Sequence, residues 1–394
     1  MLRLPGDIGA ADFLARCWQK QPLEKPGAIA TTLPSLDADE IAWLATLDDV
    51  ESRLVFTERD SRGERYRLQQ GPFDDATLES LPQHDWTLLV NDVDKHLPDM
   101  RRWFDEIPFI PDWRIDDLMV SVAAAGGSVG PHRDNYDVFL CQNRGTRRWS
   151  LARHAEDDPA ATDLSLVKPF TAELDIQARE SDVLYLPPGY AHWGVAEELS
   201  ITFSIGMRAP AYEELLATMK ANDDDPALHV DETRANRFYA DPDLDMDEAR
   251  PGFISARSVE RARQLLGAAG MITDHELQRA LGSVATSLKP WLVPETTDDA
   301  RIRDILAKVE SGHPLDLHGM SRIAWLDAGS DGWLFVNGRS LRCPSSLRRG
   351  ILQVARHRRI DRRFFSPRGD HDEIQAALSW LAASGAVDPP ANGV

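Results

Sequence analysis

A His-x-Asp pair, His132 and Asp134, is followed much later in the chain by a single histidine, His192, and this pattern constrains the fold more than any other feature. Residues two apart on a β-strand point to the same face, so His132 and Asp134 can reach one ion. Two imidazoles and one carboxylate occupy one face of an octahedral metal and leave the opposite face open. That ligand set is typical of non-haem Fe(II) oxygenases. We therefore predict a β-rich fold that brings His192 back to the pair.

The residues around these three side chains favour the same interpretation. Glycines at 126, 127 and 130 precede the pair, and they let the backbone run close to a metal. A Pro-Pro-Gly turn at 187–189 precedes His192 and places it at the rim of a barrel. A lone histidine is more often structural, but in this context we assign His132, Asp134 and His192 to metal binding.

Short β-type runs, without long helices between them, make up most of the amino-terminal half. They are bounded by Gly, Pro and Asn clusters, which is typical of a jelly-roll or cupin barrel. The predicted strands are 118–122, 136–142, 147–152, 182–186 and 199–206. We predict that this barrel occupies residues 1–210.

The character of the sequence changes after residue 210. Apolar residues at helical spacing predict helices at 212–220, 258–269 and 273–288, within a helical module at 211–294. Because such a module has little core of its own, we expect it to form a homodimer. Two predicted strands, 323–326 and 333–336, and two helices, 346–356 and 372–383, then indicate a winged-helix domain at 295–394. The predicted fold class is α+β.

Arg147 narrows the kind of site. In the run Arg147-Arg148-Trp149-Ser150-Leu151 the apolar residues mark the inward face, and Arg147 shares their parity. A guanidinium inside a barrel carries a large desolvation penalty unless an anion meets it. The distal carboxylate of 2-oxoglutarate could do so, with the hydroxyl of inward-facing Ser121 beside it. Alternatively, Arg147 pairs with an internal acid or extends to solvent.

Composition limits the partners and the compartment. The chain has 394 residues, which is long enough for roughly two or three domains. Its three cysteines are widely separated, which argues against disulfides and favours a reducing compartment. We find no run of roughly 18 apolar residues that could span a membrane, and we expect a soluble, cytoplasmic protein. A net charge of −20 disfavours nucleic acid and could attract a basic protein.

Three stretches of the sequence resemble the JmjC-type ribosomal oxygenases. They are 130–139, 147–149 and 184–193, and the run Trp18-Gln19-Lys20-Gln21-Pro22-Leu23 is similar to the amino-terminal signature of that family. The resemblance covers the barrel by motif and the remainder by the order barrel, helical dimerisation module, winged helix. Two departures are Ser181, where the family usually has Gly, and Ala124-Ala125, which replace a Pro-containing segment.

The resemblance implies a function for each candidate residue. His132, Asp134 and His192 would hold Fe(II), and Arg147 with Ser121 would bind 2-oxoglutarate, the co-substrate used with dioxygen. Asp117, Met119 and Tyr136 match positions that line a pocket for a substrate arginine. The resemblance is to the bacterial branch of the family, and the reaction it implies adds a hydroxyl to the β-carbon of an arginine in a large-subunit ribosomal protein, the sixteenth of that subunit. Asp117 could instead be a solvated acid at a strand edge.

Two other functions remain open at this point. The oxygenase could modify a histidine of another ribosomal protein, although a carboxylate at Asp117 favours arginine. From a different class, the chain could be a cupin ligand sensor with a winged-helix DNA reader. A basic run at 348–363 would suit that reader, but we interpret it as a solvated surface whose charges offset nearby acids, and we expect no sequence-specific nucleic-acid binding. Trp325 and Trp333 are predicted to lie in the core.

Overall fold

The computed structural model describes residues 8–61, 63–159, 166–222, 234, 236–267, 272–292, 298–365 and 370–387. The chain forms two compact units. The first comprises Met1–Phe109, Ile115–Met207 and Pro242–Asp245, and the second Ile110–Arg114, Arg208–Asp241 and Met246–Val394. The boundary predicted between 294 and 295 lies outside the described residues, and the division into three domains stays a prediction.

The first unit is built mainly of strands. They are β1 Leu23–Lys25, β2 Ser52–Asp60, β3 Gly63–Gln70, β4 Trp86–Val90, β5 Ile115–Ala123, β6 His132–Arg133, β7 Val138–Arg144, β8 Arg147–Ala152, β9 Leu174–Ala178, β10 Val183–Leu186, β11 Ala191–Ala196 and β12 Ser200–Met207. Its helices are α1 Ala10–Arg16, α2 Ala38–Leu44, α3 Asp75–Glu79 and α4 Val93–His96, with 3₁₀ turns at Pro98–Glu106.

These strands form two sheets that enclose a common core. The larger sheet has eight strands in the order β1-β10-β7-β12-β5-β4-β2-β3, and the smaller has four in the order β6-β11-β8-β9. The inner faces meet in one apolar cluster, which combines residues of both sheets: Val138, Leu140, Leu184 and Leu186 from the larger, and Trp149, Leu151 and Ala178 from the smaller. This arrangement is a double-stranded β-helix, which confirms the predicted jelly roll.

The outer face of the larger sheet is also buried at β10 and β12, by the amino-terminal segment and the 3₁₀ turns. Phe13 of α1 packs edge-on against Tyr185, with ring centroids 4.9 Å apart, and Trp103 packs edge-on against Phe203 at 5.0 Å. Because both faces are covered, β12 is buried along its whole length. The sheet that carries much of the candidate site is therefore held from both sides.

The structure confirms the five predicted strands to within a few residues. The hairpin of β2 and β3 was not predicted, because most of β3 is exposed and only Tyr66 and Leu68 mark its partly buried side. The turn before β10 contains Ser181 at a φ of 77°, in the left-handed region that favours glycine. The family's usual glycine suits this turn better than serine does.

The second unit combines helices with a small sheet. Its helices are α5 Tyr212–Asn222, α6 Ala256–Leu266, α7 Asp274–Thr286, α8 Asp299–Glu310, α9 Arg348–His357 and α10 His371–Ala383. Its strands are β13 Phe253–Ile254, β14 Leu315–Asp316, β15 Ile323–Asp327, β16 Asp331–Val336, β17 Arg339–Pro344 and β18 Arg359–Ile360. Four of them form a sheet in the order β13-β15-β16-β17, and β14 pairs with β18.

Local signals explain where these helices begin. Thr273 caps α7 in a reciprocal capping box with Glu276, at the residue where the sequence predicts this helix to begin. The apolar face of α7 packs against β15 and β16, where Trp333 lies in the same core as Leu277 and Leu281. Trp325 lies in a second core beneath α9 and α10. Both tryptophans are therefore core residues, as predicted. In the parts of the chain that the structure describes, no helix is long and apolar enough to cross a membrane.

Candidate active site

The smaller sheet brings the predicted metal ligands together. His132 on β6 lies directly opposite His192 on β11 in the antiparallel register, so both side chains point to the same inner face. Asp134 follows β6, and its carboxylate Oδ2 lies 3.6 Å from His192 Nε2. One ligand atom of each of the three residues lies within 4.8 Å of the others. The backbone N–H of Gly189 donates to the carbonyl of Asp134 at 2.8 Å, which ties the Pro-Pro-Gly turn to the ligand loop.

Backbone carbonyls set the orientation of both imidazoles. His132 Nδ1 lies 2.9 Å from the Gly130 carbonyl, and His192 Nδ1 lies 3.0 Å from the Tyr190 carbonyl. A carbonyl oxygen only accepts, so each Nδ1 carries the proton and each Nε2 presents a lone pair. This second contact on the far nitrogen is typical of metal-binding histidines. The donor set therefore fits a divalent transition metal.

The environment keeps His192 in the neutral form that binds metal. Burial lowers the pKa of His192 to about 4, and the nearby His132 acts in the same direction. The charge of Asp134 and the Tyr190 carbonyl oppose this shift without overcoming it. At neutral pH a metal ion would therefore displace no proton from this ligand.

Arg147 lies on the inner face of β8, as its parity predicts. Arg147, Trp149 and Leu151 are buried, whereas Arg148 is exposed. The Arg147 guanidinium is 6% exposed and donates from Nη1 to Ser121 Oγ at 3.2 Å and from Nη2 to Ser200 Oγ at 3.1 Å. Its Nε–H has no hydrogen-bond partner among the described residues, and none of their acids pairs with it.

These contacts decide between the alternatives for Arg147. The side chain neither extends to solvent nor pairs with an internal acid of the described chain. Burial lowers its pKa to about 10, so the guanidinium remains charged at neutral pH. A buried cation held only by hydroxyls fits a carboxylate ligand, which would restore the charge balance.

Trp149 lies between the metal ligands and Arg147. Its ring centroid is 6.0 Å from that of His192, and the Arg147 guanidinium lies 5.9 Å from the Trp149 ring. Gly194 on β11 lies opposite Trp149, and a Cβ atom added there would lie 2.5 Å from the indole ring. Glycine at 194 is therefore required for the indole to fill this position.

The three predicted pocket residues share one end of the larger sheet. Asp117, Met119 and Ser121 occupy every second position of β5, so their side chains share its inner face. Asp117 lies opposite Gly206 of β12 in the antiparallel register. Asp117 is buried, so it is not a solvated strand-edge acid. Tyr136 is 40% exposed, and the negative charges of Asp134, Asp117 and Asp116 raise its pKa above the usual value. The structure thus brings Tyr136 close to both Asp117 and the metal ligands.

Two contributors were not predicted from the sequence. Ser200 was missed, although polar residues at 200, 202 and 204 alternate with apolar ones along β12 and could have indicated a polar inner face. The turn that begins at Asp92 was also missed. Its backbone N–H donates to Asp117 Oδ2 at 3.3 Å, a contact that no local pattern indicates.

Comparison with known proteins places this site in a family. Residues 103–215 match the JmjC domain. The chain is 35% identical over 260 residues to the ribosomal protein uL16 3-hydroxylase of Escherichia coli, an alignment that covers 65% of each protein and so just under two thirds of that relative. It is 31% identical over 314 residues to a probable ribosomal oxygenase of Haemophilus influenzae, covering 77% of this chain and 76% of the relative.

Solved structures extend the similarity to almost the full length. The Escherichia coli ribosomal oxygenase YcfD in complex with cobalt and succinic acid matches with a TM-score of 0.70 and 27% identity, over 98% of this chain and 99% of that one. The same protein with cobalt and 2-oxoglutarate matches with a TM-score of 0.68, at the same identity and coverage. The chain belongs to the JmjC-type ribosomal oxygenases.

Proposed function

We propose that this protein is an Fe(II)- and 2-oxoglutarate-dependent hydroxylase that modifies a ribosomal protein. The observation that carries this proposal is the pairing of two features inside one barrel. An open-faced His-Asp-His set lies on the same sheet as a buried guanidinium, Arg147, that lacks an anionic partner among the described residues. The matches support the same chemistry, because the sequence similarity is to a protein named a uL16 3-hydroxylase and the structural similarity is to a ribosomal oxygenase solved with 2-oxoglutarate.

The residues of this chain would bind and orient the reactants. His132, Asp134 and His192 would hold the iron, and Arg147 with Ser121 would hold the distal carboxylate of 2-oxoglutarate. When bound, ferrous iron activates dioxygen as 2-oxoglutarate is oxidised to succinate and carbon dioxide, and so supplies the oxidant for hydroxylation. Trp149 is buried between these two groups and would limit the water around the bound reactants.

Asp117, Met119 and Tyr136 would form the pocket for the target side chain. The carboxylate of Asp117 can accept two hydrogen bonds from a guanidinium, and Tyr136 provides a flat wall with a polar tip. Gly206, opposite Asp117, leaves space beside the carboxylate, since an added Cβ would lie 3.0 Å from Asp117 Oδ1. These features support an arginine as the substrate. The relative named a uL16 3-hydroxylase supports uL16 as the protein that carries it and the β-carbon, carbon 3, as the position hydroxylated.

Mass spectrometry tests the substrate directly. The protein is incubated with Fe(II), 2-oxoglutarate and either uL16 or candidate peptides that contain arginine or histidine. We expect uL16 to gain the mass of one oxygen atom, located by fragmentation on an arginine. A gain on a histidine peptide alone would replace the arginine assignment, and no gain on any peptide would contradict the proposed substrate.

A substitution at the metal site tests the chemistry. His132→Ala removes one of three ligands, and we expect it to abolish 2-oxoglutarate turnover, measured as succinate formed with or without uL16. His154→Ala is the control, because His154 is an exposed histidine of the same unit outside the ligand set. Turnover that survives unchanged in His132→Ala would contradict the metal assignment.

The surroundings of the basic run do not favour a nucleic-acid reader. Three of its arginines form ion pairs with nearby acids, as the interpretation of a charge-balanced surface requires: Arg348 with Asp327, Arg359 with Asp316 and Arg363 with Asp361.

The homodimer and the cytoplasmic location remain our proposals. Light scattering of the purified protein would test the first.

A further inference from the structure

A buried charged turn packs against the strand that carries Asp117. It comprises Asp92, which is 0% exposed, and the first three residues of α4, of which Asp94 is 0% and Lys95 6% exposed. Charged side chains are almost never this buried unless they are paired. The function proposed above uses none of these residues.

The turn contacts β5 on both sides of Asp117. Lys95 Nζ donates to the carbonyl of Asp116 at 2.8 Å, and Asp94 Oδ1 accepts from the backbone N–H of Leu118 at 2.9 Å. Between these two contacts, the backbone N–H of Asp92 donates to the Asp117 carboxylate at 3.3 Å. The residue before Asp117, the residue after it and its own carboxylate are thus all held by one short segment.

Lys95 and Asp94, which contact the β5 backbone on either side of Asp117, also form an ion pair with each other. Lys95 Nζ lies 2.9 Å and 2.8 Å from the two oxygens of Asp94, and 3.5 Å from Asp92 Oδ1. Arg101 adds a further contact to Asp94 at 3.3 Å. Burial alone would raise the pKa of Asp94, but the charges of Lys95 and Arg101 hold it below its usual value, so Asp94 stays ionised.

This buried ion pair is not explained by its contribution to stability alone. Burying an ion pair costs desolvation that its attraction barely offsets, and an apolar pair of similar volume often serves a fold as well. What the apolar pair could not do is hold the strand backbone through a carboxylate and an ammonium. The direction of the Asp117 carboxylate depends on that backbone.

We propose that Asp94 and Lys95 are positioning residues for substrate recognition: their ion pair fixes β5 around Asp117, so that the carboxylate meets the guanidinium of the target arginine in a two-hydrogen-bond geometry. This inference rests on the proposed function, in which Asp117 binds that arginine. A displaced carboxylate would still lie in the pocket but would no longer distinguish a guanidinium from a neutral group of the same shape.

Peptide binding measures this discrimination without turnover. The full-length protein is loaded anaerobically with Fe(II) and 2-oxoglutarate, and the affinity of two fluorescent uL16 peptides is measured by anisotropy. One peptide carries the target arginine and the other carries citrulline, its neutral isostere, at the same position. The ratio of the two affinities reports how well a carboxylate is aligned with the guanidinium.

Two variants and a matched control complete the design. Asp94→Asn keeps the shape of the side chain and removes its charge, and Lys95→Gln removes the ammonium while leaving Asp94 with Arg101. The control is Asp182→Asn, in which a partly buried carboxylate that accepts from two backbone N–H groups, those of Gly27 and Arg179, is altered in the same way. Thermal unfolding of each protein is recorded beside the binding data.

We expect the preference for the arginine peptide to fall by about tenfold in Asp94→Asn and in Lys95→Gln, because a misaligned carboxylate loses part of a charge-assisted hydrogen bond. The affinity for the citrulline peptide should stay unchanged. The control should keep the full preference. A preference that survives in both variants would overturn the inference, and so would a parallel loss of both affinities, which would indicate a structural role alone. Absence of any preference in the unaltered protein would instead remove the proposed arginine substrate, and the positioning role with it.

Discussion

The charge of Arg147 has to be balanced inside the barrel, because moving a guanidinium out of water costs several kcal/mol or more. Ser121 and Ser200 contribute acceptors but no charge, and the Nε–H has no partner among the described residues. A dicarboxylate that enters the barrel would supply both the missing acceptor and the missing charge. The role of this residue is therefore tested by the affinity for 2-oxoglutarate.

Arg147→Gln should weaken 2-oxoglutarate binding by roughly 100-fold, which corresponds to the loss of one strong charge-assisted interaction. The affinity is measured by anaerobic calorimetry on the iron-loaded protein. Arg148→Gln is the control, since Arg148 is the neighbouring arginine on the exposed face and pairs with Asp175 and Glu197. Equal losses in the two variants would contradict the assignment of Arg147.

At this scale the sequence predicted most of the site. The three candidate metal ligands were identified by residue type and spacing, and the direction of Arg147 by strand parity. Ser200 was missed, because its contact with Arg147 joins β12 of one sheet to β8 of the other. A contact between sheets depends on how they are stacked, which local periodicity does not encode.

At the scale of elements, the geometry of the candidate site depends on a close approach between β8 and β11. Trp149 of β8 fills the interior, and Gly194 of β11, which lies opposite it, leaves the space for the indole ring. His192 lies two residues before Gly194 on the same face of β11. A larger side chain at position 194 should therefore alter the positions of both His192 and Arg147.

Gly194→Ala should lower the free energy of unfolding by about 1–3 kcal/mol, because the indole must shift to admit a methyl group in a packed interior. Urea unfolding measures this, and 2-oxoglutarate affinity should weaken in the same variant. Gly9→Ala serves as the control, since a Cβ there has no atom within 4 Å. An unchanged stability would mean that Trp149 has room to move.

Strands were predicted where β-type runs are bounded by turn residues, and β3 was missed because most of it is exposed. The buried strands β5, β7, β8, β10 and β12 show apolar residues that mark them, whereas β3 is mostly exposed and carries charges along its length. In the second unit, helical periodicity predicted a helix that starts at Thr273, and Thr273 caps α7 in the structure. Which helix face packs on β15 and β16 was decided only by the fold.

At the scale of the whole molecule, stability should depend on pH through a buried histidine. The side chain of His96 is 7% exposed, and its Nε2 has no hydrogen-bond partner in the described part of the chain. Burial lowers its pKa, and the charges of Asp49, Asp92 and Asp94 oppose this only in part. The unfolded histidine titrates near pH 6.5, so below about that pH the unfolded chain binds more protons than the folded one.

The free energy of unfolding should therefore fall as the pH is lowered through about 6.5. His96→Gln should show a shallower fall, since the substituted side chain does not titrate. Urea unfolding between about pH 7.5 and 5.5 measures both slopes. His192 contributes equally to the two proteins and cancels in the difference. Identical slopes in His96→Gln and the unaltered protein would contradict this prediction.

The sequence by itself determined the chemistry available to this protein: two imidazoles and a carboxylate that can share one metal, and an arginine turned inward among apolar neighbours. Strand and helix periodicity also determined most of the elements that carry them. Only the tertiary structure decided which hydroxyls meet Arg147 and that the turn at Asp92–Lys95 grips β5 around Asp117. These contacts join segments that are distant in the chain, and their geometry depends on register and packing rather than on any local pattern.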